Sequence, residues 1–315
     1  MSDSNTSDSI DRLATQPDLD GLVDSTKLQG LFEKAAYLPT KEILTLVKLA
    51  IKLGKPILVE GPPGTGKTAL GLAIAQILAT DIYRIQCYEG ISSEQVIGEF
   101  NYQRQLLAIE SSKHQKNQLT DVFTPDFFIF RPLLQALQSE KPVVLLIDEI
   151  DRSDEEFEAF LLEALGENQV TVPELGTIHA KSQPVVILTS NNSRELSGAL
   201  RRRSLYLALD YPSVAREAEI LKLHVPDLDE HLTEKIADLL RKIRRNENIS
   251  QPPSISEGIE LAKTIAMLGA EYLEIPLLNE LLGILAKSGS DSIELRKQLM
   301  DQSTNRSIEP SKSAI

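Results

Sequence analysis

The sequence predicts an α/β domain built around a parallel sheet, followed by a smaller domain made of helices alone. Short apolar runs alternate with helical patterns up to residue 211, as in sheets that are buried on both faces. A glycine-rich segment also joins the first apolar run to a helix that begins near Lys67. Strand patterns then stop after Tyr211-Pro212, and only helical periodicity continues.

These patterns divide the chain into four segments. The N-terminal stretch is rich in Ser, Asp, Asn and Thr and has few apolar residues, which is typical of disorder. The C-terminal stretch is also polar. The expected boundaries are 1–27 for a disordered N-terminal segment, 28–211 for the α/β domain, 212–302 for a helical lid domain and 303–315 for a flexible tail.

Composition and charge limit the class of protein. The chain has 315 residues, 42% of them hydrophobic, which is enough for a sizeable core. Its net charge of −13 argues against a general nucleic-acid binder. No apolar run approaches the ~20 residues of a membrane helix, and the N-terminus is unlike a signal peptide. Cys87 is the single cysteine, so we expect a cytoplasmic protein without an internal disulfide.

The first elements are two helices and a strand. A helical pattern covers Leu28–Ala36, and a second helix starts at Pro39-Thr40 and ends at Gly54. The strand Ile57–Val59 leads into the loop Gly61–Thr68. The glycines of this loop let successive N–H groups turn inward around a phosphate, and the helix that follows adds the positive end of its dipole.

The loop has the pattern G-x-x-x-x-G-K-[ST], which is specific when a strand precedes it and a helix follows. Lys67 is expected to reach the β- and γ-phosphates of a nucleotide, and the Thr68 hydroxyl is expected to ligate Mg²⁺. The residues expected to contact the nucleotide are Gly61, Pro62, Pro63, Gly64, Thr65, Gly66, Lys67, Thr68 and Ala69.

The next segment holds one clear strand and one ambiguous stretch. Residues 82–87 alternate like a strand. Residues 89–110 have a mixed pattern, which we interpret as a helix with an interruption, and the polar residues 111–121 are expected to form a loop. A short helix is predicted over Pro132–Gln138.

The strand that follows ends in two carboxylates. Val143–Ile147 is a continuous apolar run, and Asp148-Glu149 come directly after it, where open α/β sheets bind ligands. Together with the phosphate loop, this pair indicates that Asp148 holds Mg²⁺ and that Glu149 polarises the attacking water. Gln86, on the neighbouring strand, either restrains Glu149 or is an ordinary polar strand residue.

The α/β pattern is completed by a helix over 154–165, a hairpin within 170–180, a buried strand over 185–188, a helix to Arg202 and a last strand over 205–209. Asn191 follows the buried strand, and its amide can hydrogen-bond both the γ-phosphate and the water without adding charge. Helical patterns then occupy approximately 213–223, 229–246, 256–268, 275–287 and 291–301.

Three adjacent arginines, Arg201, Arg202 and Arg203, precede the last strand. They point in different directions, so at most one or two of them can serve one site. They form either a basic surface turn or an arginine finger that neutralises transition-state charge in a neighbouring subunit.

In this order, the motifs resemble those of an AAA+ ATPase. Gly61–Thr68 matches the Walker A motif, Leu145–Glu149 matches Walker B, Asn191 matches the sensor-1 asparagine, and Arg201–Arg203 match the finger region before a helical lid. The flanking runs resemble the MoxR family, especially the branch found with carbon monoxide dehydrogenase maturation genes. These runs are 84–90, 189–196, 202–206 and 210–212.

The resemblance implies a homo-hexameric ring with ATP at the subunit interfaces. It also implies an insert within about 91–121 and a hairpin at about 169–180. Such ATPases act as chaperone-like remodellers of a protein client, often in metalloenzyme maturation, with a partner that carries a von Willebrand factor A domain. Alignment on the Asp-Tyr-Pro run makes Arg202 the first finger candidate and Arg203 the second.

The chain departs from the family pattern in its lid. Many MoxR relatives carry a lid arginine, called sensor 2, in a Ser-Pro-Arg context, whereas the stretch Pro253–Glu257 has Ser256 at that place. No lid arginine is therefore assigned to the γ-phosphate. Two other classes remain open: a nucleotide-switched scaffold or adaptor that turns over slowly, and an AAA+ NTPase of a nucleic-acid-restriction system, against which the acidic charge argues.

Overall fold

The computed structural model describes residues 25–112, 121–270 and 272–306. The expectations for residues 1–24, for residues 113–120 of the polar loop and for the tail beyond residue 306 lie outside the described residues. The elements of the α/β part are α1 (Ser25–Lys34), α2 (Lys41–Leu53), β1 (Ile57–Glu60), α3 (Lys67–Ile77), β2 (Ile82–Gln86), α4 (Ser93–Ile97), β3 (Gly98–Phe100), α5 (Tyr102–Ser112), β4 (Phe128–Phe130), α6 (Pro132–Gln138), β5 (Val144–Asp148), α7 (Glu155–Gly166), β6 (Gln169–Val172), β7 (Gly176–His179), β8 (Val185–Ser190), α8 (Gly198–Arg203) and β9 (Leu205–Ala208).

A helical region follows, which we call the lid. Its elements are α9 (Val214–His224), α10 (Glu230–Arg244), α11 (Ile255–Leu268), α12 (Ile275–Glu280), α13 (Leu282–Leu285) and α14 (Gly289–Arg306). One apolar cluster, centred on side chains from α9, α10 and α11, forms the core of the lid. The lid therefore buries its own hydrophobic surface, separately from the sheet.

The α/β part is organised around a five-stranded parallel sheet in the order β2-β5-β8-β1-β9. The predicted fold class is confirmed. Side chains of the interior strand β5 alternate between two apolar clusters, since Leu145 and Ile147 pack on one face and Val144 and Leu146 on the other. This double burial explains why β5 is apolar throughout and why its first polar group, Asp148, lies at the carboxyl edge.

Residues 89–110 contain the helices α4 and α5 with an interruption between them, as the sequence pattern predicts. The interruption is the strand β3, which pairs antiparallel with β4 at the far end of the insert. Phe100 and Phe128 make an edge-to-face contact with ring centroids 5.0 Å apart. Strands of three residues are too short to show a period, so the sequence pattern did not reveal them.

The lid helices agree with the predicted periodicity, with two differences. The helix expected over 275–287 is divided at Leu281 into α12 and α13. The helix expected to end at residue 301 continues to Arg306, into the segment that was expected to be a flexible tail.

The lid packs directly on the phosphate loop. The backbone N–H of Ile255, the first residue of α11, donates to the Gly64 carbonyl at 3.2 Å. The Tyr211 hydroxyl donates to the Pro63 carbonyl at 3.1 Å. The loop is therefore held between the sheet and the lid, and a cleft opens on each side of it.

Candidate active site

Two cavities flank the loop Gly61–Thr68. The first, which we call the phosphate cavity, measures about 220 Å³. The second, the apolar cavity, measures about 300 Å³ and lies between α2, the end of β9 and the lid. The residues that line both cavities are Gly64, Gly66, Ala69 and Ser256. A ligand with a polar end and an apolar end can therefore occupy both cavities at once.

The backbone of the loop depends on glycine at two positions. Gly64 has φ +72° and Gly66 has φ +91°, in the left-handed region that other residues avoid. A side chain on Gly64 would also collide with Ser254, which precedes α11. Gly64 therefore both shapes the loop and allows the lid to approach it.

Lys67 begins α3 and is buried. Its Nζ donates to the carbonyl oxygens of Gly61 and Pro62, at 2.8 and 2.7 Å. Burial lowers the pKa of Lys67, while the carboxylates of Asp151, Glu149 and Asp148 act against that shift. The ammonium group thus lies inside the phosphate loop, close to three acids and to the place where phosphate oxygens would bind.

Asp148 ends β5 and is almost fully buried. Its Oδ1 accepts hydrogen bonds from the hydroxyls of Thr68, at 3.0 Å, and Thr189, at 2.8 Å. Its Oδ2 lies 2.7 Å from a guanidinium nitrogen of Arg84. This contact is an ion pair, and Oδ2 accepts no hydrogen bond from the residues that the structure describes.

Asp148 and Thr68 suit Mg²⁺. The carboxylate keeps a buried oxygen with unused lone pairs next to a hydroxyl oxygen, and hard oxygen donors are what this ion prefers. Within the described residues no cluster of three or more His, Cys, Asp or Glu side chains is arranged for a metal. A site of one carboxylate and one hydroxyl, completed by substrate phosphates and water, is the usual arrangement for Mg²⁺ with a nucleotide.

Glu149 lines the phosphate cavity in a strained conformation, with φ +55°. Its backbone N–H donates to the Thr189 hydroxyl at 2.9 Å, which ties it to the neighbouring strand β8. Its carboxylate pairs with Arg152 at 3.1 Å. Gln86 instead accepts a hydrogen bond from Arg84. The suggestion that Gln86 restrains Glu149 is therefore not supported by the contacts.

Asn191 also lines the phosphate cavity. Its backbone N–H donates to Asp151 at 3.2 Å, and the N–H and hydroxyl of Ser193 donate to the same carboxylate at 2.9 and 2.6 Å. Burial alone would raise the pKa of Asp151, but the hydrogen bonds from Ser193 and Asn191 outweigh it and lower that pKa. An ionised Asp151 thus fixes the turn that carries Asn191.

The three arginines have different surroundings. Arg201 makes a two-pronged contact with the buried carboxylate of Glu60, at 2.8 and 3.1 Å. Arg203 contacts the Leu162 carbonyl at 3.4 Å. Arg202 is exposed, and its guanidinium forms no hydrogen bond or ion pair within the described part of the chain. None of the three is among the described residues that line the phosphate cavity.

Sequence patterns missed several residues of the site. Arg84 contacts Asp148 from the edge strand β2, and Thr189 orients both Asp148 and Glu149. Asp151 holds Asn191 in place. Of these residues, only Arg84 could have been predicted from the sequence pattern. It lies two residues before Gln86 and therefore on the same face of the strand. Cys87, on the opposite face, is buried, and burial raises the pKa of its thiol to about 12.

Known proteins match the part of the chain that builds this site. Residues 56–204 match the family model described as AAA domain (dynein-related subfamily). Gas vesicle ATPase GvpN of Haloferax mediterranei is 26% identical, over 72% of this chain and 68% of that protein. Protein NorQ of Paracoccus denitrificans is 26% identical, over 70% and 76% respectively. Denitrification regulatory protein NirQ of Pseudomonas aeruginosa is 23% identical, over 67% and 75%.

Among the residues that the structure describes, no helix combines the length and the apolar character needed to cross a bilayer.

Proposed function

We propose that the chain is an AAA+ ATPase of the MoxR type and that it hydrolyses ATP between the subunits of a homo-hexameric ring to remodel a protein client. ATP hydrolysis is the activity of the family. What we propose beyond this activity is the ring, the contribution of a neighbouring subunit to the site, and the protein client. The observation that carries it is the convergence of Lys67, Glu149 and Asn191 on one cavity.

These side chains supply the parts that γ-phosphate transfer to water requires. Lys67 would neutralise charge on the β- and γ-phosphate oxygens. Glu149, held by its strained backbone and by Thr189, would accept a proton from the attacking water. The side-chain amide of Asn191 would orient that water against the γ-phosphate, and Asp151 fixes the backbone that carries it.

Thr68 and Asp148 would hold Mg²⁺, which would supply charge neutralisation at the phosphates when bound. Residues Gly61–Ala69 would wrap the phosphates. Those of the range that line the phosphate cavity are Pro63, Gly64, Gly66, Lys67, Thr68 and Ala69. The apolar cavity would take the adenine base, since such cavities bind flat apolar rings and its walls include Tyr37, Ile43 and Ile259.

The proposed site is completed in trans by Arg202. Arg201 pairs with Glu60, and Arg203 contacts a backbone carbonyl, so Arg202 is the arginine whose side chain is available to another subunit. It does not line the cavity of its own chain. A cation from a neighbour would stabilise the charge that develops on the γ-phosphate.

The client and partner are proposed from the family resemblance. The names of the relatives refer to gas vesicles and to denitrification, so the relatives serve different systems. We propose a chaperone-like or maturation role toward a protein or metalloenzyme client, with a partner that carries a von Willebrand factor A domain. The cytoplasmic location and the lack of a nucleic-acid partner stay predictions.

Phosphate release as a function of protein concentration tests the proposal. If the site is completed between subunits, the activity per subunit should climb steeply over the concentration range in which a ring assembles. Particle size should be measured in parallel with and without ATP. Slow release that is independent of concentration, from chains that still bind nucleotide, would contradict the motor and favour the nucleotide-switched scaffold.

A further inference from the structure

The guanidinium of Arg84 lies where a cation is expected to approach Asp148. Its Nη2 is 2.7 Å from Asp148 Oδ2, in the phosphate cavity that Thr68 and Glu149 also line. The Asp148 side chain is 3% exposed and that of Arg84 is 54% exposed. A buried carboxylate thus has an ion-pair partner at the mouth of the cavity.

The strand β2 fixes this position. Arg84 and Gln86 are two residues apart and share a face of the strand, and Gln86 is in register with Asp148 on β5. Gln86 Oε1 accepts a hydrogen bond from the same Nη2 at 2.9 Å. The guanidinium is therefore held by an amide on its own strand while its charge faces the carboxylate.

The two side-chain oxygens of Asp148 have different partners. Oδ1 is already shared by the hydroxyls of Thr68 and Thr189. Oδ2 accepts no hydrogen bond from the described residues, so it is the oxygen that remains for a metal ion or its water shell. Arg84 and Mg²⁺ would compete for this oxygen, because two cations at one carboxylate oxygen repel each other.

We propose that Arg84 is a positioning residue that occupies Asp148 in competition with Mg²⁺, and that it thereby raises the Mg²⁺ concentration that the site requires. This inference rests on the proposed function of the same site. When Mg²⁺ binds, the guanidinium leaves Oδ2 and remains in the cavity mouth, held by Gln86. A subunit then binds its nucleotide tightly only when both Mg²⁺ and nucleotide are abundant.

The competition can be measured by ADP binding, without turnover. Calorimetric titration of ADP at a series of MgCl₂ concentrations gives the Mg²⁺ concentration at which binding is half-maximally strengthened. We expect Arg84→Met to lower this midpoint about three- to tenfold, and we expect the difference to shrink in high salt because Arg84 is half exposed. Arg84→Lys keeps the charge but cannot contact Gln86 and Asp148 at the same time. Its midpoint should therefore lie between those of the wild type and Arg84→Met.

Arg131→Met is the matched control. Arg131 pairs with Glu99 at the same 2.7 Å and is similarly exposed, but it lies away from the cavity. Its removal should leave the Mg²⁺ midpoint unchanged. Thermal unfolding of each variant checks that the fold is intact.

An Asp148→Asn background separates competition for Oδ2 from simple repulsion between cations. In that background Arg84→Met should no longer change the midpoint, because the contested charge is gone. A shift that persists there, or an unchanged or higher midpoint for Arg84→Met alone, would overturn the inference. If the wild-type chain itself shows no Mg²⁺-dependent ADP binding, the proposed function fails as well, so the two failures are distinguishable.

Discussion

The phosphate cavity and the apolar cavity lie on either side of one loop, yet they are built differently. The phosphate cavity takes its key groups from the ends of adjacent strands and from the loop itself, at Lys67, Asp148, Glu149 and Asn191. The apolar cavity takes its walls from separate elements, α2, β9, α9 and α11. Chemistry at a phosphate requires particular atoms at fixed places, whereas an apolar ring requires only a surface of the right shape.

This difference predicts two kinds of mutational effect. A change in the phosphate cavity should reduce turnover more than binding, because its groups act on charge that develops during the reaction. A change in the apolar cavity should weaken the binding of ATP and of ADP to the same extent, because both nucleotides carry the same base.

The largest effect is expected at Glu149. Glu149→Gln removes the proton acceptor but keeps the shape of the side chain, so phosphate release should fall about 10²- to 10⁴-fold while ATP affinity changes little. Steady-state phosphate release and equilibrium ATP binding are the measurements. Hydrolysis at the wild-type rate would show that another group activates the water.

The next effect concerns the lid, whose helices form one wall of the apolar cavity. Arg244 pairs with Glu217 at 2.7 Å, both side chains are buried, and Arg244 also stacks over Tyr211, which binds the loop. Arg244→Met should lower the free energy of unfolding of the lid by about 3–5 kcal/mol, because it leaves a buried carboxylate without a partner.

Lys242 on the same helix provides the comparison for Arg244. It pairs with Asp238 at 2.7 Å, but both side chains are about half exposed. Lys242→Met should therefore lower the free energy of unfolding by at most about 1 kcal/mol. Urea unfolding, followed by circular dichroism, measures the free energy of unfolding of both variants. Equal losses would show that burial does not increase the contribution of the Arg244–Glu217 pair to stability.

A smaller effect is expected within the apolar cavity itself. Ile259→Ala removes part of the wall that would contact the base, so ATP and ADP should both bind about five- to tenfold more weakly. Met267→Ala, at an 85% exposed position of the same helix, should change neither affinity. An Ile259→Ala variant that weakened ATP alone would contradict the assignment of this cavity to the base.

The last prediction concerns the reactivity of Cys87, which is buried in an apolar cluster. Its pKa of about 12 keeps it protonated near pH 8, and the thiolate is the reactive form. Alkylation by iodoacetamide at pH 8 should be at least about a hundredfold slower in the folded protein than in urea. Equal rates would show that Cys87 is accessible in the folded state.

Sequence patterns predicted the groups whose neighbours are close along the chain. The loop carries Lys67 and Thr68 within one local pattern, and Asp148-Glu149 follow an apolar strand directly. The contacts that assign the remaining residues join distant positions. Arg201 and Glu60 are 141 residues apart in the sequence, so no local pattern could show that this arginine is paired with Glu60.

The same limit applies to Arg84 and to the apolar cavity. Arg84 reaches Asp148 only because β2 and β5 are neighbours in the sheet. The walls of the apolar cavity meet only after the lid has packed on the loop. Periodicity predicts that each helix has an apolar face, but it does not say which faces leave a space between them.

The most direct test of the account mixes two inactive variants. Glu149→Gln retains Arg202, and Arg202→Ala retains Glu149, so each lacks one of the two groups that we assign to opposite sides of an interface. If Arg202 acts in trans, an equimolar mixture should regain activity at about a quarter of its interfaces, where an Arg202→Ala subunit meets the arginine of its neighbour. Phosphate release by the mixture that is no higher than the mean of the two variants alone would contradict a site shared between subunits.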